Sequence, residues 1–151
     1  MKFSIFFIIL LCALKLDAQI LVQKMPDENL TETDKGFMQA GYNLAYSNMT
    51  SEAYVFKGRD EEWKKCWINL MQALHIYMQK NGLKPDANSS CFNRIYFNKE
   101  GVIVAYLYHL SGFTPAQEQV FDAHIFNFLI AQKLPVRSGS NYWQYGTLRF
   151  E

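Results

Sequence analysis

The chain has 151 residues, of which half are hydrophobic and 16% are aromatic, so it can bury the core of one domain. Its formal net charge is only +1. The absence of a basic excess argues against nucleic-acid binding and against strong electrostatic recruitment to membranes.

The N-terminus has the order of a secretory signal peptide. Lys2 supplies a positive start, residues 4–14 form an apolar run, and small residues lead to Ala18 and Gln19. The run is shorter than the about 20 apolar residues that span a bilayer. We predict a signal peptide over 1–18, cleaved after Ala18. The protein is then exported, periplasmic or secreted, with no integral membrane segment after cleavage.

Cleavage leaves 133 residues with no net formal charge, and two cysteines, Cys66 and Cys91. An even pair in an exported chain predicts one disulfide bridge, Cys66–Cys91. It would close a loop of about 25 residues and stabilise the fold by about 3 kcal/mol. The alternative is two separate buried thiols.

Residues 19–58 are predicted to form an N-terminal lead-in with short elements. The first part is polar and acidic and lacks a clear period. A short helix near 37–45 and a short strand near 53–57 are the elements that we expect here.

The core domain is predicted over 59–151, and its first helix has clear limits. Asp60 and the acidic residues after it suit a helix N-terminus. Apolar residues then recur at the spacing of one buried helix face as far as Met78. Lys80 lies in the last turn, and Gly82 suits the position after the helix end.

The rest of the core domain predicts a hairpin, a helix and a strand. Strands over 91–98 and 102–110 flank a turn that contains Gly101. The second strand is apolar on both faces and belongs inside a sheet. A Thr-Pro-Ala-Gln capping box starts a helix over 114–133. An aromatic-rich strand over 142–150 follows. The expected fold is α+β, a small antiparallel sheet of about three strands with two main helices packed on one face.

Three segments carry a resemblance to a known family: a strand–turn–strand unit at 94–103, a helix at 119–134 and the final Gly-Thr-Leu-Arg-Phe at 146–150. Over about residues 60–151 this order resembles the C-terminal domain of TonB-like periplasmic proteins. The resemblance implies a soluble, exported binding domain of Gram-negative bacterial character. The Pro-rich spacer of TonB is absent, so energy transduction is not implied.

No residue pattern predicts an enzyme. The three histidines, His75, His109 and His124, lack the i, i+4 spacing of a zinc helix. There is no nucleophile elbow and no phosphate-binding glycine loop. We therefore predict no catalytic residues, no metal and no cofactor. The alternative is a small secreted hydrolase or ligand-binding protein whose site forms near His109 and His124 from residues distant in the sequence.

The aromatic run in the last strand is the candidate partner surface, formed by Tyr142, Trp143 and Tyr145. Tyrosine and tryptophan are enriched at interaction hot spots. An edge strand here could pair with another chain, including a second copy as a dimer through the last strand. The other interpretation is that these rings only cover the sheet and helices.

The sequence therefore favours an exported, non-enzymatic binding or interaction domain that contacts a protein or a cell-envelope component. A further alternative is a eukaryotic secreted glycoprotein. It is suggested by three Asn-x-Ser/Thr sequons, at Asn29, Asn48 and Asn88.

Overall fold

The computed structural model describes residues 19–49 and 52–150. The predicted signal peptide lies outside the described residues. Within them, the chain forms one five-stranded mixed sheet and three helices. The elements in chain order are β1 (Leu21–Lys24), α1 (Glu32–Gln39), β2 (Asn43–Leu44), α2 (Asp60–Lys80), β3 (Ser90–Phe97), β4 (Ile103–Ser111), α3 (Pro115–Ile130) and β5 (Tyr142–Arg149).

The sheet has the strand order β1-β4-β3-β5-β2. β3 runs antiparallel to both β4 and β5, as expected for the hairpin and the last strand. β1 pairs parallel with β4, and β2 pairs parallel with β5. Among the described residues, no helix has the length and apolar character needed to cross a bilayer.

The prediction of a three-stranded antiparallel sheet with two helices is wrong. The three expected strands form only the centre of the sheet, and β1 and β2 extend it at both edges. These two strands come from the region predicted as a lead-in. The expected short elements there are also wrong, since the helix spans Glu32–Gln39 and residues 55–58 form a turn. Parallel pairing needs no local turn, so the sequence carries no nearby signal for it.

The two long helices form for the reasons that their sequences indicate. In α2 the buried residues recur every three or four positions, at Trp63, Cys66, Leu70, Leu74 and Met78. The capping box at the start of α3 is complete, because the side chains of Thr114 and Gln117 each accept from the other residue's backbone N–H.

The turn between β3 and β4 requires glycine. Gly101 has a φ of 83°, in the left-handed region. A Cβ there would lie 2.5 Å from the backbone oxygen of Leu134 and 2.8 Å from that of Val136. The turn therefore packs directly against the segment that leads from α3 to β5.

The helix face of the sheet is the side that α2 and α3 cover. Alternate strand residues point into this layer, among them Tyr106 and Tyr108 of β4 and Tyr142 of β5. The rings of Phe56 and Trp63 stack on each other beside Tyr142, with their centroids 4.9 Å apart. This layer is the main hydrophobic core.

The α1 face is the opposite side of the sheet, which α1 and the segment before it cover. Phe37 of α1 stacks on Tyr96 of β3 with ring centroids 4.2 Å apart. Met25, Ala105 and Leu107 complete a smaller apolar cluster. The sheet is therefore packed on both faces, although the two layers differ in size.

A buried ion pair fastens α1 to the sheet. Asp34 of α1 is fully buried, and its Oδ2 accepts from Nη1 of Arg94 at 2.7 Å. Its Oδ1 accepts from the hydroxyl of Tyr96 at 2.6 Å. The backbone N–H of Thr31 donates to Oδ2, and Nη2 of Arg94 donates to the backbone oxygen of Glu28. One carboxylate thus joins the helix, its preceding loop and β3.

Candidate binding surface at the edge of the sheet

The strand β2 covers only the beginning of β5. It pairs through Asn43 with Tyr142 and through Leu44 with Trp143, and the N–H of Ala45 donates to the backbone oxygen of Trp143 at 2.8 Å. The chain then leaves the sheet. The remainder of β5, residues 145–149, has no neighbouring strand on that side among the described residues. We call it the open edge.

The backbone groups of the open edge point away from β3. Trp143 directs its carbonyl towards β2, and backbone directions alternate along a strand. Tyr145, Thr147 and Arg149 therefore present their backbone N–H and C=O groups at the open edge. The N–H of Phe150 follows the same alternation, since it points towards the β3 side and donates to the backbone oxygen of Ser89, just before β3. The edge thus offers a ladder of groups that another strand can pair with.

The side chain of Gln144 lies at the position where the chain leaves the sheet after β2. Its side-chain oxygen accepts from the N–H of Tyr46 at 3.0 Å, and its side-chain nitrogen donates to the backbone oxygen of Tyr145 at 3.3 Å. This amide completes the pairing of β2 without extending it. The open edge therefore begins at a defined position.

An apolar groove borders the open edge on the helix face, and we call it the edge groove. It encloses about 570 Å³. Ile68 and Ile76 of α2 are 52% and 49% exposed on it, although they are large apolar side chains. Its lining consists of Trp67, Ile68, Met71, Gln72, His75, Ile76 and Leu148.

A glycine in β5 lets one wall of the groove form. The indole of Trp67 lies against Gly146, where a Cβ would be 3.1 Å from Cζ2. A larger residue would push the ring off the strand. At the other end of the groove, His75 stacks on Phe150 with ring centroids 5.3 Å apart. The groove is therefore held between α2 and the open edge by aromatic packing.

The predicted partner residues do not form one surface. Tyr142 is fully buried in the core of the helix face. Trp143 and Tyr145 lie on the α1 face, where their rings stack with centroids 5.8 Å apart. Tyr145 is 49% exposed, so it remains available to a partner. Two of the three aromatic residues thus lie together on the α1 face, and Tyr142 lies in the core.

The sequence interpretation missed the contribution of α2. Ile68 and Ile76 are eight residues apart in α2 and lie outside the buried stripe, on a different side of the helix. Large apolar residues outside the buried stripe were the available signal, because a solvated helix face is usually polar. The signal identifies an apolar surface but not the strand edge beside it.

The structure does not bring His109 and His124 together. His109 lies on the α1 face, with Nδ1 3.2 Å from the backbone oxygen of Met25. His124 lies on the helix face near Tyr77, at a ring-centroid distance of 6.4 Å. The sheet separates the two. Across residues 19–49 and 52–150, no group of three His, Cys, Asp or Glu side chains could hold a metal ion.

Cys66 and Cys91 are both free, buried thiols, so the predicted bridge is not formed in the structure. The Sγ of Cys91 lies 3.3 Å from Oδ1 of Asn93. Burial raises the pKa of Cys91 to about 12, and it also raises the pKa of Cys66. Since the thiolate is the reactive form, burial disfavours the reactive form of both cysteines.

The three sequon asparagines, Asn29, Asn48 and Asn88, are exposed and lie outside the helices and strands. Their side chains are accessible, as modification would require. Glycosylation at these residues stays a prediction, which mass spectrometry of the native protein tests.

Comparisons of the chain with models of protein families, with curated proteins and with solved structures find no match in any of the three. The resemblance to TonB-like proteins therefore stays a prediction. The open edge and the edge groove are the features on which a function can be argued.

Proposed function

We propose that this chain is an exported, non-enzymatic binding domain that takes an extended polypeptide segment along the open edge of β5. The observation that carries the proposal is that residues 145–149 have no neighbouring strand on their outer side among the described residues and lie directly beside an apolar groove. Export rests on the sequence pattern of residues 1–18.

The edge supplies affinity and the groove supplies selectivity. A strand added beside β5 would pair with the backbone groups of Tyr145, Thr147 and Arg149. Alternate side chains of the added strand point to the same face. Those that point towards α2 would enter the edge groove and cover Ile68 and Ile76. The preferred segment is thus extended, with apolar residues at every second position.

The edge also lacks the usual protection against strand pairing. Soluble proteins commonly block exposed edges with proline, a bulge or charges. Between residues 145 and 149 the chain has no proline, and Arg149 is its one charged residue. An unblocked edge beside exposed isoleucines is a feature of interaction sites. We therefore interpret it as a surface that a partner covers.

A polypeptide fits this surface better than a glycan or a lipid headgroup. Apart from the indole N–H of Trp67, the polar side chains in the lining of the edge groove are those of Gln72 and His75. Sugars and headgroups depend on several polar or charged partners. The backbone groups of the open edge instead suit another backbone. Of the two partner classes expected from the sequence, a protein is the better supported.

Selection of random peptides on the folded domain tests the proposal. Peptides enriched on the wild-type protein are expected to alternate apolar residues and to bind at least about tenfold more weakly to Thr147→Pro and Ile68→Glu. The N–H of Thr147 points away from β3, so proline removes no bond within the sheet.

The matched control is Ile130→Glu, which changes an isoleucine of α3 that is 57% exposed. Its binding should equal that of the wild type. Failure of the monomeric protein to enrich any peptide would contradict the proposal. Enriched peptides that bind both edge variants as tightly as the wild type would also contradict it.

A further inference from the structure

We infer that the segment which occupies the open edge is the same edge of a second copy of this chain, in a two-fold symmetric dimer. The inference rests on the proposed function, since it names the partner of that surface. Two antiparallel β5 strands would join two five-stranded sheets into one continuous sheet. A two-fold interface requires a surface that is complementary to itself, and the sequence of the open edge has this property.

The residues of the open edge are complementary when β5 pairs antiparallel with β5 of a second copy. With Thr147 on the two-fold axis, Tyr145 lies opposite Arg149 of the second copy, and Gly146 lies opposite Leu148. Tyr145, Thr147 and Arg149 all direct their backbone groups outwards, so each of these groups meets a complementary group in this register. The carbonyl of Tyr145 also accepts from the side chain of Gln144 and has a second lone pair for the partner strand. A shift by two residues would leave some of these groups unpaired or would collide with β2.

The cross-strand pairs of this register are favourable on the α1 face. Arg149 takes part in no ion pair among the described residues. In the dimer its guanidinium lies beside the exposed ring of Tyr145, which suits a cation–π contact. The symmetry forms this contact twice. Thr147 meets Thr147 of the second copy, a pair that strands accommodate well.

The pairs on the helix face are complementary in size. Gly146 has no side chain, and Trp67 lies over it at 3.1 Å from an ideal Cβ position. Leu148 of the second copy would pack beside this indole. The two edge grooves would then adjoin, so that Ile68 and Ile76 of both copies are covered. The dimer thus removes from water the apolar side chains that a single copy leaves exposed.

Single cysteine substitutions test the register. Thr147 pairs with itself, at a Cα separation of about 5.5 Å that a disulfide can span. Thr147→Cys should therefore form an interchain disulfide under mild oxidation. Tyr145 would lie about 13 Å from Tyr145 of the second copy, since four residues of strand separate them. Tyr145→Cys should remain monomeric on a non-reducing gel, which makes it the control.

The molecular mass in solution tests the dimer itself. Light scattering on residues 19–151 should give twice the mass of one chain. Ile68→Glu should weaken the dimer at least about tenfold, whereas Ile130→Glu should leave it unchanged. Circular dichroism checks that each variant is folded, and Ile76→Glu replaces Ile68→Glu if that variant does not fold.

Three outcomes would overturn the inference: a monomer at every accessible concentration, a dimer that survives both groove substitutions, and equal crosslinking of Thr147→Cys and Tyr145→Cys. A monomer that still selects peptides at the open edge would leave the proposed function standing with a different partner. A monomer that selects no peptide would remove both.

Discussion

The two faces of the sheet are covered by different chemistry. On the helix face, α2 and α3 bury apolar side chains at many positions, and no single residue carries the layer. On the α1 face, the only residue that α1 fully buries is Asp34. Its carboxylate bonds Arg94 and Tyr96, which lie on β3. The helix face is mainly a large apolar layer with the bond from Tyr108 to Asp122 of α3 as a polar link, whereas the α1 face joins a smaller apolar cluster to one fully buried charge.

This difference determines how each face responds to substitution. Removing an apolar side chain leaves a cavity whose cost depends on local relaxation. Removing one partner of a buried ion pair leaves the other charge without compensation, which costs more than the pair itself contributes. A substitution that removes one buried charged partner on the α1 face should therefore lower the free energy of unfolding more than a substitution of similar size on the helix face.

The largest expected effect is that of Asp34→Ala. It leaves the guanidinium of Arg94 buried and without its carboxylate, at a cost of about 3–5 kcal/mol in the free energy of unfolding. Urea denaturation measures it. Glu32→Ala is the control, because Glu32 pairs with Lys35 at the surface of the same helix and should matter little. Equal, small effects of both substitutions would show that the α1 face does not depend on the ion pair.

A matched pair of Tyr→Phe substitutions sharpens the comparison with a smaller effect. Tyr96 on the α1 face donates to Asp34 at 2.6 Å, and its loss should cost about 1.5–3 kcal/mol because the acceptor is charged. Tyr142 on the helix face is equally buried, but its hydroxyl has no partner among the described residues. Tyr142→Phe should leave stability unchanged or raise it by about 1 kcal/mol.

Urea denaturation of both variants reads out this contrast. Burial, and after it the hydrogen bond to Asp34, raises the pKa of Tyr96, so its hydroxyl remains a donor throughout the neutral range. A loss of stability in Tyr142→Phe as large as in Tyr96→Phe would show that the hydrogen bond of Tyr96 to Asp34 adds nothing beyond what an unpaired hydroxyl contributes.

The helix face is also the part of the fold that could be predicted. The helices over Asp60–Lys80 and Pro115–Ile130, the hairpin and the last strand all lie within a few residues of their expected positions. Each carries a local signal: a 3.6-residue period, a capping box or a turn glycine. Such signals need no knowledge of distant contacts.

The α1 face could not be predicted in the same way. α1 has eight residues, contains Gly36 and buries a carboxylate where a period would require an apolar residue. Its attachment depends on Arg94, 60 positions away. β1 and β2 are short and pair in parallel with distant strands. The open edge could not be predicted for the same reason, because its length depends on the residue at which β2 ends.

The two capping boxes, one on each face, give a finer version of the same comparison. In α3, Oγ1 of Thr114 accepts only from the N–H of Gln117, so Thr114→Ala should cost about 1 kcal/mol. In α1, Oγ1 of Thr31 accepts from the N–H of Asp34 and also donates to its buried carboxylate at 2.7 Å. Thr31→Ala should therefore cost about 2 kcal/mol in urea denaturation. Equal costs would mean that the hydroxyl of Thr31 adds nothing to the bonds that Arg94, Tyr96 and the backbone N–H of Thr31 make to the carboxylate.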